Sequence, residues 1–267
     1  MPGFFAFRPS DMKTIPLARR DWIAGLEKGL AILEAFDNQH ARMTATQAGE
    51  RTGLSRTAAR RYLLTLESLG YVYTDGRLFG LTPRVLRVGW SYFDSARLPR
   101  TVQPYLQQLS ATLNESAYVS VLDDWDLVVI ARNGVSRVMT TGFVLGARVP
   151  APLISPGVVL LAHKEDQEAV SNWLDGVELA PFTAHTITSA SRLREKIVRA
   201  RVDGYALIEQ QLQVGVRGVA VPLRNRNGDV VAALSTNMSI GNESPEEAVR
   251  RVLPHLQETA LAMLNVL

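Results

Sequence analysis

Along the first third of the chain, apolar positions fall at helical spacing, and capping signals divide them into short pieces. Ile23, Leu26, Leu30, Leu33 and Phe36 recur at three- and four-residue steps, which predicts a helix opening near Asp21 with one apolar face. Thr44, followed three residues later by Gln47, is a capping box in which each side chain satisfies the other's exposed backbone N–H, and it opens a second, short helix. Gly53 closes that helix, because glycine takes up the left-handed conformation of a tight C-cap. Ser55 is an N-cap for a third helix with the apolar stripe Ala59, Leu63, Leu66 and Leu69. Arg56, Thr57, Arg60, Arg61 and Leu64 therefore lie on or beside its other face. Tyr71–Leu81 has β-formers on both sides of Asp75-Gly76, a pair suited to a two-residue hairpin turn with positive φ at both positions. Capped helix, glycine turn, arginine-studded helix and hairpin make a winged helix-turn-helix.

Further on, Val85, Leu86, Val88, Trp90 and Tyr92 predict a linker helix that also packs against another subunit, and Pro99 and Pro104 punctuate the chain where a second domain starts. That domain mixes helix and strand signals without a strict βα repeat. A helix over 101–114 precedes strands at Tyr118–Leu122 and Leu127–Arg132, joined by the acidic turn Asp123–Asp126. Pro150, Pro152 and Pro156 mark an irregular loop, followed by a buried helical turn at Gly157–His163. A helix over 189–203 stops at Gly204, and strands follow at Tyr205–Gln211, Gly218–Leu223 and Val230–Asn237, the last two joined at Asn227-Gly228. Ser244-Pro245-Glu246-Glu247 opens the last helix with an N-cap, a proline at the first position and a capping glutamate. Its apolar face runs through Val249, Val252, Leu253, Leu256, Ala260, Met263, Leu264 and Leu267. The fold class is thus a helical winged helix-turn-helix followed by an α+β domain with a mainly antiparallel sheet covered by helices. The domain scheme is an arm over 1–20, a winged helix-turn-helix over 21–83, a linker helix over 84–98 and the α+β domain over 99–267.

Composition narrows this picture mainly by exclusion. With 267 residues, 46% hydrophobic and 21% charged, the chain has an ordinary globular composition and length enough for two cores. Having no cysteine, it has no disulfide framework, thiolate metal site or catalytic thiol, which fits a cytoplasmic location. No apolar run approaches the ~20 residues of a membrane span, and the first 20 residues read as a flexible, mildly basic arm rather than a signal peptide. Charge adds a positive indication. Residues 1–100 hold 15 Lys and Arg against 9 Asp and Glu, whereas the remainder holds 14 against 17. An anionic polymer is therefore the expected partner of the first part alone.

The motifs agree. Arg56 and Arg60 are one helical turn apart, as are Thr57 and Arg61, so two rows project from one helix, and arginine can grip guanine O6 and N7 with two parallel hydrogen bonds. Ser55 and Thr57 at the helix start suit phosphate, and Arg77 beside the hairpin tip suits phosphate or the minor groove. Thr44, Gln47 and Tyr62 complete the candidate DNA-contacting set. Catalytic and metal signatures are missing. His40, His163, His185 and His255 are scattered, Ser155 lacks the preceding glycine of a nucleophile elbow, and Gly215-Val216-Arg217-Gly218 is too short for a dinucleotide fingerprint. Asp123, Asp124 and Asp126 read as a solvated turn. No enzyme activity, metal or cofactor is expected.

From Asp21 onward the chain resembles the IclR family of bacterial regulators, most closely the branch that responds to hydroxybenzoate, protocatechuate or β-ketoadipate. The resemblance rests on DWIAGLEKGLAILEAF (21–36), RTGLSRTAARRYLLTLESLGYV (51–72), FGLTPRVLRVGWSY (79–92) and GYALIEQQLQVGVRGVAVP (204–222). It implies a GAF-like effector domain, a homodimer formed partly through the DNA-binding domains, and a tetramer through effector domains as a further assembly. It also implies an effector pocket built from the loop after Gly146-Ala147-Arg148-Val149-Pro150 and completed around Glu209, Gln211, Gly218, Ala220, Ser235 and Asn237. Where that branch shows a polar run like A-H-A-T-S-T-G, this chain has Ala151-Pro152-Leu153-Ile154-Ser155-Pro156-Gly157. Only the alanine, serine and glycine remain. Gln211 is an amide where an acid is expected, and Gly218 stands where serine or cysteine is common.

The expected function is therefore a ligand-responsive regulator of an aromatic-acid catabolic operon, with duplex operator DNA, a small carboxylate and a second copy of the chain as partners, and RNA polymerase as well if it activates. No membrane partner is expected. Ser155 as N-cap and Pro156 as first helical residue start a helix inside the pocket, whose free N–H groups favour a carboxylate near Ser155 and Gly157, with the ligand's apolar part against Leu153 and Ile154. The pocket is then more apolar than its relatives', suited to a substituted benzoate or cinnamate-like acid. The rival reading is an enzyme or metabolite-binding protein acting on a small organic acid, in which the helix-turn-helix is only structural.

Overall fold

The computed structural model describes residues 18, 20–134, 143–264 and 266–267, so nearly all of the expected arm lies outside the described residues. The chain divides into two compact units between Ser95 and Ala96. Among the described residues no helix is long and apolar enough to cross a membrane.

The first unit contains α1 (Ala24–Glu34), β1 (Arg42–Met43), α2 (Ala45–Thr52), α3 (Arg56–Ser68), β2 (Val72–Thr74), β3 (Phe79–Leu81) and α4 (Leu86–Ser95). Ile32, Met43, Ala48, Ala59, Leu63, Leu66, Val72 and Phe79 form its core. The capping box is present, with Gln47 N–H donating to Thr44 Oγ1 at 3.3 Å and Thr44 N–H to Gln47 Oε1 at 2.9 Å. Gly53 takes φ 69° and Ser55 accepts the Ala58 N–H at 3.2 Å. Gly49 lets the chain pass directly over α2: its carbonyl receives Leu54 N–H at 2.9 Å, and a Cβ on it would stand 2.6 Å from the Leu54 oxygen.

Three details depart from the sequence expectations. Ile23, Leu26 and Leu30 are exposed; α1 enters the core through Ile32 and the adjoining Ala35, with Leu33 and Phe36 of the expected face packed against it. Likewise Leu69 ends its stripe in solvent. The hairpin loop spans four residues, 75–78, because Thr74 pairs with Phe79. Only Gly76 has positive φ; the Asp75 carboxylate holds the loop open by accepting N–H groups from Arg77 and Leu78 at 3.0 and 2.8 Å. β1 adds a third strand, in the order β1-β3-β2.

The second unit is a six-stranded antiparallel sheet, ordered β6-β5-β4-β9-β8-β7, between two helical layers. Its elements are α5 (Arg97–Leu113), β4 (Ser116–Asp123), β5 (Asp126–Asn133), β6 (Arg148–Pro150), α6 (Ser155–Ala162), α7 (Gln167–Gly176), α8 (Ala190–Asp203), β7 (Ala206–Glu209), β8 (Val216–Arg224), β9 (Val230–Ser239) and α9 (Pro245–Met263). α5 and α9 cover one face and α6, α7 and α8 the other. Pro99 and Pro104 do not punctuate the chain but lie inside α5, which starts four residues earlier than the spacing indicates. Pro99, in the first turn, forfeits no hydrogen bond, since those N–H groups have no intrahelical acceptor, whereas Pro104 lies in the helix interior and has no N–H to donate there. Residues 123–126 form the expected turn, with Asp124 at φ 56° and Arg148 bonded to both Asp123 and Asp126. The capping box at Ser244 and Glu247 opens α9.

α6 is the best-buried helix of this unit, with all eight residues inside. It starts one residue earlier than expected. Ile154 is extended and occupies the cap position, and its carbonyl receives the Val158 N–H at 3.0 Å. Ser155 is therefore the first helical residue and Pro156 the second, so the Ser155 hydroxyl is left without a capping role.

Candidate functional site

Two places combine exposed or unpartnered polar groups with a shaped surface, one in each unit. In the first unit Arg56, Thr57, Arg60 and Arg61 line a shallow cleft of about 190 Å³ on the outer face of α3. Their exposure follows from the helical period, since Ala59, Leu63 and Leu66 turn the opposite side inward. None of these three arginines has a hydrogen bond or ion pair among the described residues, and neither does the Arg77 guanidinium on the hairpin loop.

Two other arginines of the unit are already engaged. Arg51 donates to the Ala35 carbonyl at 2.9 Å and to Asp37 at 2.7 Å, and Arg42 pairs with Asp75. Asp75 is held down to about 2 by the Leu78 and Arg77 N–H groups, and then by Arg42, so the loop keeps its anion at any ordinary pH. Tyr73 lies over Gly80, where an added Cβ would stand 2.7 Å from the ring. A side chain there would push the ring off the hairpin.

The other candidate DNA contacts are placed unevenly. Ser55 and Thr57 are exposed at the start of α3. Thr44 and Gln47 bond to each other, with Thr44 half-buried and Gln47 exposed. Tyr62 packs against the core, its hydroxyl side near Gly25, and projects less than the arginines do.

In the second unit a cavity of about 150 Å³ opens between the start of α6 and the ends of β7, β8 and β9. Of the candidate effector contacts, Leu153, Ile154, Ser155, Gln211, Gly218 and Asn237 line it. Phe143, Ile208, Gln210, Leu212, Gln213 and Val216 complete the wall; all but Phe143 fall within the family-like stretch 204–222, but nothing in its pattern singles them out as cavity residues.

Four candidates lie elsewhere. Glu209 is on the opposite face of the sheet, accepting from the buried Arg217 at 2.7 Å, because strand residues alternate and Ile208 takes the inward position. Arg217 also donates to the Ser244 and Glu243 carbonyls at 3.1 Å, which fastens the start of α9. Ala220 and Ser235 share the cavity's face of the sheet but pair with each other, one step deeper than Gly218 and Asn237. Gly157 faces the chain rather than the cavity: a Cβ on it would stand 2.0 Å from the Ala151 oxygen.

The polar groups around the cavity are arranged economically. The Gln211 Oε1 receives the Ile187 N–H at 3.0 Å, which leaves its NH2 as the end open to another partner. Ser155 Oγ is buried without any hydrogen bond. A Cβ on Gly218 would stand 2.7 Å from that Oγ and 2.9 Å from Asn237 Oδ1. Glycine at 218 is thus what allows both side chains to approach the β8 backbone, and a serine or cysteine there would displace them. As the first turn of α6, Ser155 and Gly157 have N–H groups without intrahelical acceptors, and Pro156 has none to offer.

Comparison with known proteins bears on both places. The family model described as "IclR helix-turn-helix domain" matches residues 25–76, and "Bacterial transcriptional regulator IclR C-terminal" matches residues 90–264. The p-hydroxybenzoate hydroxylase transcriptional activator of Acinetobacter baylyi is 40% identical over 251 residues, covering 92% of this chain and 92% of that protein. The Pca operon regulatory protein of the same organism is 36% identical over 255 residues, covering 94% and 91%. Among solved structures, a double mutant of the PobR inducer-binding domain from Acinetobacter, in complex with 3-hydroxybenzoic acid, is 31% identical with a TM-score of 0.59. It covers 64% of this chain and 100% of that one.

Proposed function

The chain belongs to the IclR family of bacterial transcriptional regulators, and on that premise we propose that it binds duplex operator DNA through α3 and is switched by an aromatic carboxylic acid held in the cavity at the start of α6. The observation that carries the effector half is the cavity itself. Cavities of roughly 150 Å³ hold one benzene ring, and this one sets apolar Phe143, Leu153, Ile154 and Ile208 beside the first turn of a buried helix. The 40% identical activator is named for p-hydroxybenzoate hydroxylase, which supports a small aromatic acid as the ligand class here. The mechanism is a population shift: the acid prefers one arrangement of the assembly, and that arrangement sets the spacing of the recognition helices. A cytoplasmic location, and contact with RNA polymerase if it acts as an activator, complete the proposal; no catalytic role is part of it.

The carboxylate belongs at the N-terminal end of α6, where the Ser155 hydroxyl and the first-turn N–H groups meet the positive end of the helix dipole. Isothermal calorimetry on a panel of benzoates and their uncharged amides tests this. Charge-assisted hydrogen bonds are about twice as strong as neutral ones, so each amide is expected to bind about tenfold or more weakly than its acid. An amide that binds as tightly as the acid would remove the anion site. Binding of flexible aliphatic diacids alone would remove the aromatic ring.

We also propose that the working unit is at least a homodimer. Leu86, Val88, Trp90 and Tyr92 on α4 are exposed in the single chain, as are Trp22, Ile23, Leu26 and Leu30 at the start of α1. Patches of that kind mark interfaces, and two recognition helices reading two half-sites call for two-fold symmetry. Sedimentation at micromolar concentration is expected to give a dimer or larger; a monomer both with and without DNA would end this proposal.

A further inference from the structure

Among the described residues three buried side-chain polar atoms have no hydrogen-bond partner: Tyr118 OH, Ser120 Oγ and Ser155 Oγ. Leaving a buried hydroxyl unpaired costs stability, so such groups call for an explanation. All three lie in the same layer of the second unit. Tyr118 and Ser120 are two residues apart on β4 and so face the same way, and Tyr118 packs in the core that includes α6. Ser155 is already placed at the cavity wall. Of the two that remain, Tyr118 and Ser120, only Tyr118 has a ring contact with a residue of the cavity wall.

Tyr118 also adjoins the cavity. In the sheet it pairs with Ser235, while Ser116, two residues back, pairs with the cavity-lining Asn237. Tyr118 is therefore one step along the same face from the cavity wall. Its ring makes an edge-on contact with Phe143, centroid to centroid 6.2 Å at 67°, and Phe143 lines the cavity. Phenylalanine at 118 would make the same ring contact as tyrosine if packing were the whole task.

We propose that Tyr118 is a specificity-determining residue whose phenol hydrogen-bonds a ring hydroxyl of the bound acid, the ligand taking over the contact that Phe143 makes. Phenol OH both donates and accepts, so it matches a ligand hydroxyl in either sense. Ser155 and the α6 start hold the carboxylate, and Tyr118 distinguishes a hydroxylated ring from a bare one. This rests on the aromatic-acid reading of the cavity.

The test is calorimetry of the full chain with benzoate, 3-hydroxybenzoate and 4-hydroxybenzoate, on the native protein and on Tyr118→Phe. The native protein is expected to prefer one hydroxybenzoate over benzoate by about tenfold, as sites built to bond a hydroxyl discriminate against its loss. Tyr118→Phe is expected to reduce that preference to about twofold or less while benzoate affinity is unchanged. Its thermal midpoint is expected to stay the same or rise, since the deleted hydroxyl had no partner; a lowered midpoint would show that the phenol is structural and overturn the proposal. So would a Tyr118→Phe protein that retains the preference, or a native protein that binds all three acids equally. If the native protein binds none of the three, the aromatic-acid reading itself falls and this inference falls with it.

Discussion

Replacing Arg56, Arg60 and Arg61 together by alanine is expected to weaken operator binding by more than a hundredfold while leaving the fold intact. All three are exposed on α3 and bond to nothing among the described residues, so their removal breaks no interaction of the folded chain, and alanine is the best helix former. The effect is felt in the complex with DNA. An arginine that reads a guanine contributes about 1–3 kcal/mol of discrimination, and removing one arginine from a phosphate lowers the slope of log affinity against log salt by about 0.9. Since about 1.4 kcal/mol is a factor of ten, three such arginines exceed a hundredfold even at the lower end of that range. The measurement is titration of a selected duplex at several salt concentrations, with circular dichroism as the control for folding. Unchanged affinity in the triple variant would show that α3 is not the reading helix. Arg51→Ala makes the contrast: its guanidinium ties α2 to the Ala35 carbonyl and Asp37, so that change is expected to lower stability rather than to act on DNA directly.

Local chemistry explains why this helix is legible in the sequence. Thr44 with Gln47, Gly53, Ser55, and Ser244 with Glu247 are signals that act within four residues, and each sits in the structure where its hydrogen bond requires. Signals that depend on distant packing are less legible. The α1 periodicity locates an apolar stripe but cannot tell a core-facing stripe from an exposed one, so it points Ile23, Leu26 and Leu30 inward and passes over Ile32. In β7 a single-residue difference in parity separates Ile208, at the cavity, from Glu209, on the other face with Arg217. The hairpin loop is longer than Asp75-Gly76 suggests because the Asp75 carboxylate, rather than a second positive φ, stabilises the turn. Phe143, Gln210, Leu212 and Gln213 reach the cavity from irregular segments, where neither periodicity nor capping marks a side.

Gly157→Ala is expected to abolish tight binding of the acid and to lower the thermal midpoint of the effector domain. The added methyl group would stand 2.0 Å from the Ala151 oxygen, 2.5 Å from its Cα and 2.6 Å from its carbonyl carbon, all backbone atoms that cannot rotate away. Nor can the backbone shift freely. Ala151 is held by its N–H to the Trp125 carbonyl at 3.1 Å, and α6 is enclosed between the sheet and α8. Overpacking of this kind costs about 1–3 kcal/mol, which for a domain of this size lowers the midpoint by roughly 3–10 °C. The same displacement moves the 151–153 turn, and with it Leu153 and Ile154 in the cavity wall, so binding is expected to weaken by at least about tenfold, as misplacements of about 1 Å do at preorganised sites. Gly176→Ala at the end of α7 is the control, because nothing lies within 4 Å of its added Cβ and both midpoint and affinity are expected to stay native. If Gly157→Ala melts and binds like the native protein, the close approach of α6 to the 151–153 turn does not shape the site, and the carboxylate must be held elsewhere on the wall.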